Sequence, residues 1–194
     1  MNFLAHVFLS FNDDEITIGN FIADSIRANK FKHLPPRIIQ GITLHRAIDT
    51  FTDSHKIPKI SSKRLHKNYS HYSRVIVDIY YDHFLAKNWL RYSDVPLNIF
   101  AGDFYTLLES NYEFLPIQVK RMMPYMIKDN WLLNYGNLEG IAKVLEGMNR
   151  RTKNRSKMHL ANIDLEKHYE LFEEEFTLFF EELLEYTKAK FKTL

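Results

Sequence analysis

The chain has 194 residues, 26 Lys and Arg against 24 Asp and Glu for a formal net charge of +2, and is 45% hydrophobic and 14% aromatic. That length suits one domain with a sizeable core rather than two, and the apolar share excludes a disordered chain. The absence of cysteine excludes disulfides, thiolate zinc sites and a thiol nucleophile, and no run of 18 apolar residues is present to span a membrane.

The N-terminal run MNFLAHVFLSFNDDE lacks the basic flank and small-residue cleavage site of a secretory signal, so a cytoplasmic protein is expected. Only 6 Gly and 6 Pro punctuate the chain, which favours helices over many short strands. Pro35 and Pro36 open a predicted helix over 37–52, with Ile38, Ile42 and the stretch from Leu44 to Ile48 on its buried side. A longer helix is predicted over 70–90, striped by Val75, Ile79 and Ala86. Asp94 and Pro96 lead into a helix over 98–109. Pro116 opens another, which Pro124 should kink or break, and a further helix covers 137–151. At the C-terminal end Leu165, Tyr169, Phe172, Phe176, Phe179, Leu183 and Tyr186 recur at spacings of four and three, the core-facing stripe of one helix. The expected architecture is all-α: residues 1–194 as a single helical bundle.

Charge is unevenly placed. Residues 54–77 hold no acid but carry Lys56, Lys59, Lys63, Arg64, Lys67 and Arg74. Residues 147–163 likewise hold no acid but carry Arg150, Arg151, Lys153, Arg155 and Lys157. Such segments are either solvated loops or a surface for an anionic partner.

The chemistry is concentrated in four polar pairs spaced four residues apart: Asn2 with His6, Asn20 with Asp24, His45 with Asp49, and Asp78 with Asp82. On a helix each pair lies on one face and aims at one point. Their apolar surroundings make an unpaired carboxylate costly. One such pair is ordinary helix support, whereas four together resemble the way bundles converge carboxylates and imidazoles on a metal. Asp, His and Asn without Cys suit Mn²⁺ or Mg²⁺, with Fe or Zn as alternatives. Asp82 and His83 form an adjacent pair in the reverse of the His-Asp order of HD phosphohydrolases. Arg46 and Arg74 flank the acids and suit phosphate oxygens, or else pair with a nearby Asp.

The blocks MNFLAHVFLS, GNFIADSI, GITLHRAIDTFTDSH and RVIVDIYYDHFLAKNW, covering about the first 90 residues, together resemble the acyl carrier protein phosphodiesterase family. The basic NRRTKNR followed by a long aromatic helix is similar to the family's second half. The resemblance implies a helical fold divergent from the HD phosphohydrolases. It implies hydrolysis of the phosphodiester that joins 4′-phosphopantetheine to a serine of holo-acyl carrier protein, with Mn²⁺ or Mg²⁺. It carries Asp24, His45, Asp49, Asp78, Asp82 and His83 over as motif positions. The first five are the expected metal ligands, with Arg46 as a stabilising cation and His6 or His83 as the proton donor. Arg74, Arg150, Arg151 and Arg155 are expected to bind the substrate, the last three as a rim for a carrier protein that is acidic around its modified serine. No nucleic-acid or membrane partner is expected. The rival readings are a phosphohydrolase of nucleotides or other small phosphoesters, and a helical module that binds an acidic partner without chemistry.

Overall fold

The structure is a computed structural model that describes residues 1–26 and 31–194. Among these residues there is no strand. The described residues form eleven α-helices, in chain order α1 Phe3–Phe8, α2 Asp14–Ile22, α3 Pro36–Ser54, α4 Lys56–Tyr69, α5 Ser73–Lys87, α6 Leu97–Ser110, α7 Ile117–Lys128, α8 Trp131–Asn134, α9 Leu138–Arg151, α10 Ala161–Lys167 and α11 Tyr169–Phe191. The chain is thus an all-α bundle, and no described helix is long and apolar enough to cross a membrane.

Local chemistry accounts for several helix starts. Asp13 caps α2 by accepting from Ile16 N–H, Pro36 stands in the first turn of α3, and Asn137 caps α9 by accepting from Gly140 N–H. Three expectations are modified. The basic stretch after residue 54 is mostly helix α4, because Ile57, Leu65 and Tyr69 share a buried face and Ser61 joins them. Ser61 is tolerated there because its hydroxyl meets the Tyr81 hydroxyl at 2.7 Å and Glu175 at 2.5 Å. Helix α7 runs through Pro124 to Lys128 instead of ending there. Pro124 is exposed, so solvent can satisfy the carbonyl that loses its donor. The C-terminal stripe is divided at His168 between α10 and α11. Leu165, Phe172, Phe176, Phe179 and Leu183 nevertheless all reach the core, α11 packing against α3, α4 and α5 and α10 against α9.

The contact that positions the polar pairs is between α2 and α3. A Cβ on Gly19 would stand 2.0 Å from the carbonyl oxygen of Ile38, and one on Gly41 would stand 2.3 Å from that of Ile16. Only hydrogen in place of a side chain lets the two backbones meet this closely. Asn20 follows the first glycine and His45 lies one turn beyond the second, so the close approach puts the main chain of α2 within reach of the His45 ring. Helix α1 packs against both α2 and α5.

Candidate metal centre

Asn20 is the hub. It is fully buried. Its side-chain amide donates to the His6 carbonyl at 2.8 Å and to the Ser10 hydroxyl at 3.0 Å. Its side-chain oxygen is therefore the acceptor facing His6 Nδ1 at 2.8 Å. The main-chain carbonyl of the same residue lies 2.8 Å from His45 Nδ1. Both contacts oblige Nδ1 to carry hydrogen and donate, which turns the lone pairs of both neutral rings to Nε2. The rings stack with centroids 4.1 Å apart.

Both Nε2 atoms face the same carboxylate. Asp49 Oδ1 is 3.3 Å from His6 Nε2, and Asp49 Oδ2 is 3.0 Å from His45 Nε2. Asp24 Oδ1 approaches His45 Nε2 at 3.1 Å from the 3₁₀ turn Ala23–Ser25. His6 Nε2 is buried with no hydrogen-bond partner. A buried lone pair aimed at a carboxylate is unfavourable by itself and becomes favourable when a cation lies between them. One ligand atom from each of His6, His45 and Asp49 can be chosen so that all three lie within 4.8 Å of one another. The set therefore fits a divalent ion, with the orienting acceptors on Asn20 forming the outer layer that metal-bound imidazoles require.

Titration behaviour follows from the same geometry. Burial pushes His6 down, the neighbouring His45 adds to this, and the result is about 4. Burial would lower His45 as well, but hydrogen bonds to Asp24 and Asp49 raise it to about 9. Burial would raise Asp49, yet its hydrogen bond to His45 and the nearness of the His6 ring hold it far below the usual carboxylate range. The His45 hydrogen bond likewise lowers Asp24. Without an ion a proton on His45 offsets one of the two carboxylate charges, and it is this proton that an ion would replace.

The remaining expected residues are placed elsewhere. Asp78 is half-buried, accepts from the Met1 amino group at 3.0 Å, and borders the cleft described below. Burial raises its pKa despite that ammonium. Asp82 is fully buried and faces the N-terminus of α1. It accepts from the backbone N–H groups of Leu4 at 2.7 Å, Asn2 at 3.1 Å and Ala5 at 3.4 Å, so it caps that helix from a distance. Burial lifts it to about 7, against those N–H groups and the Met1 ammonium. His83 donates from Nδ1 to the Tyr135 carbonyl at 2.7 Å and accepts at Nε2 from the Tyr169 hydroxyl at 2.7 Å, so both of its nitrogens are engaged away from the cluster. Arg46 is exposed, with its guanidinium 4.9 Å from the centroid of the Phe31 ring. Arg150 pairs with Glu146 at 3.2 Å, Arg151 lies 3.6 Å from the Met148 sulfur, and Arg155 is exposed.

A cleft of about 230 Å³ opens beside the cluster. Asp24, Asp49 and Asp78 border it with Lys59, Ser62 and Arg74. Among the described residues Arg74 pairs with exposed Asp53 at 3.7 Å, and Lys59 Nζ donates to the Ser54 carbonyl at 2.8 Å. An acidic, imidazole-backed wall and a cationic wall on one cleft suit a cation and a phosphate together. Asn20 stood among the four polar pairs but was given no role of its own, and Lys59 and Ser62 were not among the residues expected from sequence to form the site. Asn20 had a visible signal in its spacing from Asp24; the other two had none beyond the lack of acids around them.

The family model for acyl carrier protein phosphodiesterase matches residues 1–183. The chain belongs to the acyl carrier protein phosphodiesterase family. Proteins called acyl carrier protein phosphodiesterase from Salmonella newport (strain SL254) and Salmonella heidelberg (strain SL476) are each 32% identical to it over 189 residues, covering 95% of this chain and 96% of theirs. No solved structure matches. All of the cluster and cleft residues named above fall inside the span matched by the family model.

Proposed function

We propose that this protein is a cytoplasmic, metal-dependent phosphodiesterase that cleaves holo-acyl carrier protein into apo-acyl carrier protein and 4′-phosphopantetheine. The observation that carries the metal-dependent reading is the buried, unpartnered Nε2 of His6, aimed with His45 Nε2 at Asp49 on the wall of a cleft that also presents Arg74 and Lys59. Membership of the family supports the substrate.

In this reading His6, His45 and Asp49 hold the ion and Asp24 completes the set. Two imidazoles favour Mn²⁺, Fe²⁺ or Zn²⁺ over Mg²⁺, which prefers an all-oxygen shell. When bound, the ion polarises the phosphoryl oxygen and lowers the pKa of an attacking water. Asp78, half-exposed at the cleft, orients that water. Arg74 and Lys59 meet the non-bridging oxygens as the water oxygen bonds to phosphorus and the P–O bond to the carrier serine breaks, the serine oxygen taking up the proton that the water gives up. Arg74 does so by exchanging its exposed contact with Asp53, which is worth little in water, for a charge-assisted one. Asn20 holds both imidazole tautomers throughout.

The test is to incubate the protein with holo-acyl carrier protein and Mn²⁺ and follow the carrier by mass spectrometry. The expected result is conversion to the apo mass, abolished in His45→Ala and Asp49→Ala variants that keep their helical signal. An unchanged carrier, together with turnover on a panel of free nucleotides, would replace this reading with a small-molecule phosphohydrolase.

A further inference from the structure

Helix α4 carries a second feature that the metal centre does not use. Its buried face is Ile57, Pro58, Ser61, Leu65 and Tyr69. Its opposite face presents Lys56, Ile60, Lys63 and Lys67, all exposed, with Lys59 at the edge of the same stripe. These positions follow the three- and four-residue spacing that keeps side chains on one helix face, and from Lys56 to Lys67 they extend about 16 Å. Among the described residues none of Lys56, Lys63 and Lys67 has an ion-pair partner. By contrast Arg64, on the flank of the same helix, is bound by Glu175 at 2.6 Å. Ile60, 53% exposed, stands in the middle of the lysines. One edge of the stripe joins the cleft, because Lys59 and Ser62 border both.

We infer that the exposed face of α4 is the docking surface for an acidic protein, the carrier protein of the proposed reaction, and so this inference rests on that reading. Three observations select this occupant. The charges of the stripe are all cationic, with no acid in the stripe to neutralise them, so it complements an acidic surface. It is continuous with the cleft, so a protein seated on it places a phosphodiester from its own surface beside Arg74 and the ion ligands. It holds an exposed isoleucine between the charges, the apolar anchor inside a polar rim that protein interfaces use and that a phosphate backbone does not reward. The second basic segment is less available, since Arg150 is already paired with Glu146. The lysines act mainly on encounter, drawing the partner in and setting its register.

The experiment measures the Kd of apo-carrier protein, which presents the same surface without the bond to be cut, for wild type and for Lys63→Glu/Lys67→Glu. Neither lysine borders the cleft, so turnover of a small phosphodiester with Mn²⁺ stays at the wild-type rate. The double reversal is expected to raise the Kd, and the KM for holo-carrier protein, by about tenfold or more with kcat unchanged. The wild-type Kd rises with salt, because exposed charges are screened beyond about 8 Å at physiological ionic strength. Lys63→Gln/Lys67→Gln, which adds no repulsion, shows a smaller shift in the same direction and separates docking from a folding defect. A reversed variant that binds carrier protein as wild type does at low salt overturns the proposal. So does one that loses affinity only for a DNA duplex. A wild type that binds the carrier through α4 but releases no phosphopantetheine overturns the catalytic reading and leaves the docking surface standing.

Discussion

Asn20 shows how one residue, through its side chain and its main chain, can decide the chemistry of two others. Its oxygens fix hydrogen on Nδ1 of both histidines, and the rings then have only Nε2 to offer a cation. Replacing it with leucine keeps the volume and removes the amide, so His6 is free to rotate while the main-chain carbonyl still holds His45. Asn20→Leu should weaken Mn²⁺ binding by about 10–100-fold, the usual effect of losing an outer-layer partner, as read by calorimetric titration. Wild-type affinity in that variant would remove Asn20 from the site. His45 makes a separate prediction in metal-free protein. Its folded pKa of about 9 lies above the ordinary histidine value, so the stabilisation it supplies is complete below about pH 6.5 and is lost as pH rises through about 9. The melting temperature of the metal-free wild type should therefore fall over that window by more than that of His45→Gln. Equal slopes for the two proteins would show that the proton on His45 is not what balances Asp49.

At the level of elements, the site depends on a backbone contact rather than on any ligand. Gly19 and Gly41 bring α2 against α3, and a Cβ at Gly41 cannot be accommodated without separating the two helices. Gly41→Ala should destabilise the fold by about 1–3 kcal/mol despite alanine's better helix propensity, and should lower metal affinity through the Asn20–His45 register. Gly102→Ala in α6 is the control. Nothing lies within 4 Å of its added Cβ, so it should leave stability unchanged or raise it by up to about 1 kcal/mol. If both substitutions behave alike in thermal unfolding, the close approach of α2 and α3 is not what holds the site. This contact also explains what was legible in the sequence. Helix α3 could be read from its prolines and apolar spacing, and the His45–Asp49 pair from its one-turn separation. The role of Asp82 could not, because its partners are main-chain N–H groups 77 to 80 positions away. Helix α4 was hidden because its buried stripe includes Ser61, whose polarity is answered only by Tyr81 and Glu175 after folding.

Across the whole molecule, the candidate ligands come from α1, the turn after α2, and α3, with α1 packed on α5 and α3 on α11. The all-α class follows from composition and periodicity. The convergence of these segments depends on tertiary contacts that no local pattern records, such as the placement of α1 by Asp82. An ion bound to three separate elements favours the folded chain alone, since the unfolded chain cannot keep the ligands together. At about 100 times its Kd the ion should add about 2.7 kcal/mol of stability. For a chain of 194 residues that corresponds to a rise in melting temperature of about 5–10 °C. The rise should appear with Mn²⁺, Fe²⁺ or Zn²⁺, be weaker with Mg²⁺, and vanish in a His6→Ala/Asp49→Ala double variant. That variant has lost one buried lone pair and the carboxylate facing it, so its metal-free form should fold without the electrostatic conflict present in the wild type. A wild type whose unfolding is indifferent to all four ions, or a double variant that responds as the wild type does, would mean that His6 and Asp49 face each other for a reason other than holding a cation.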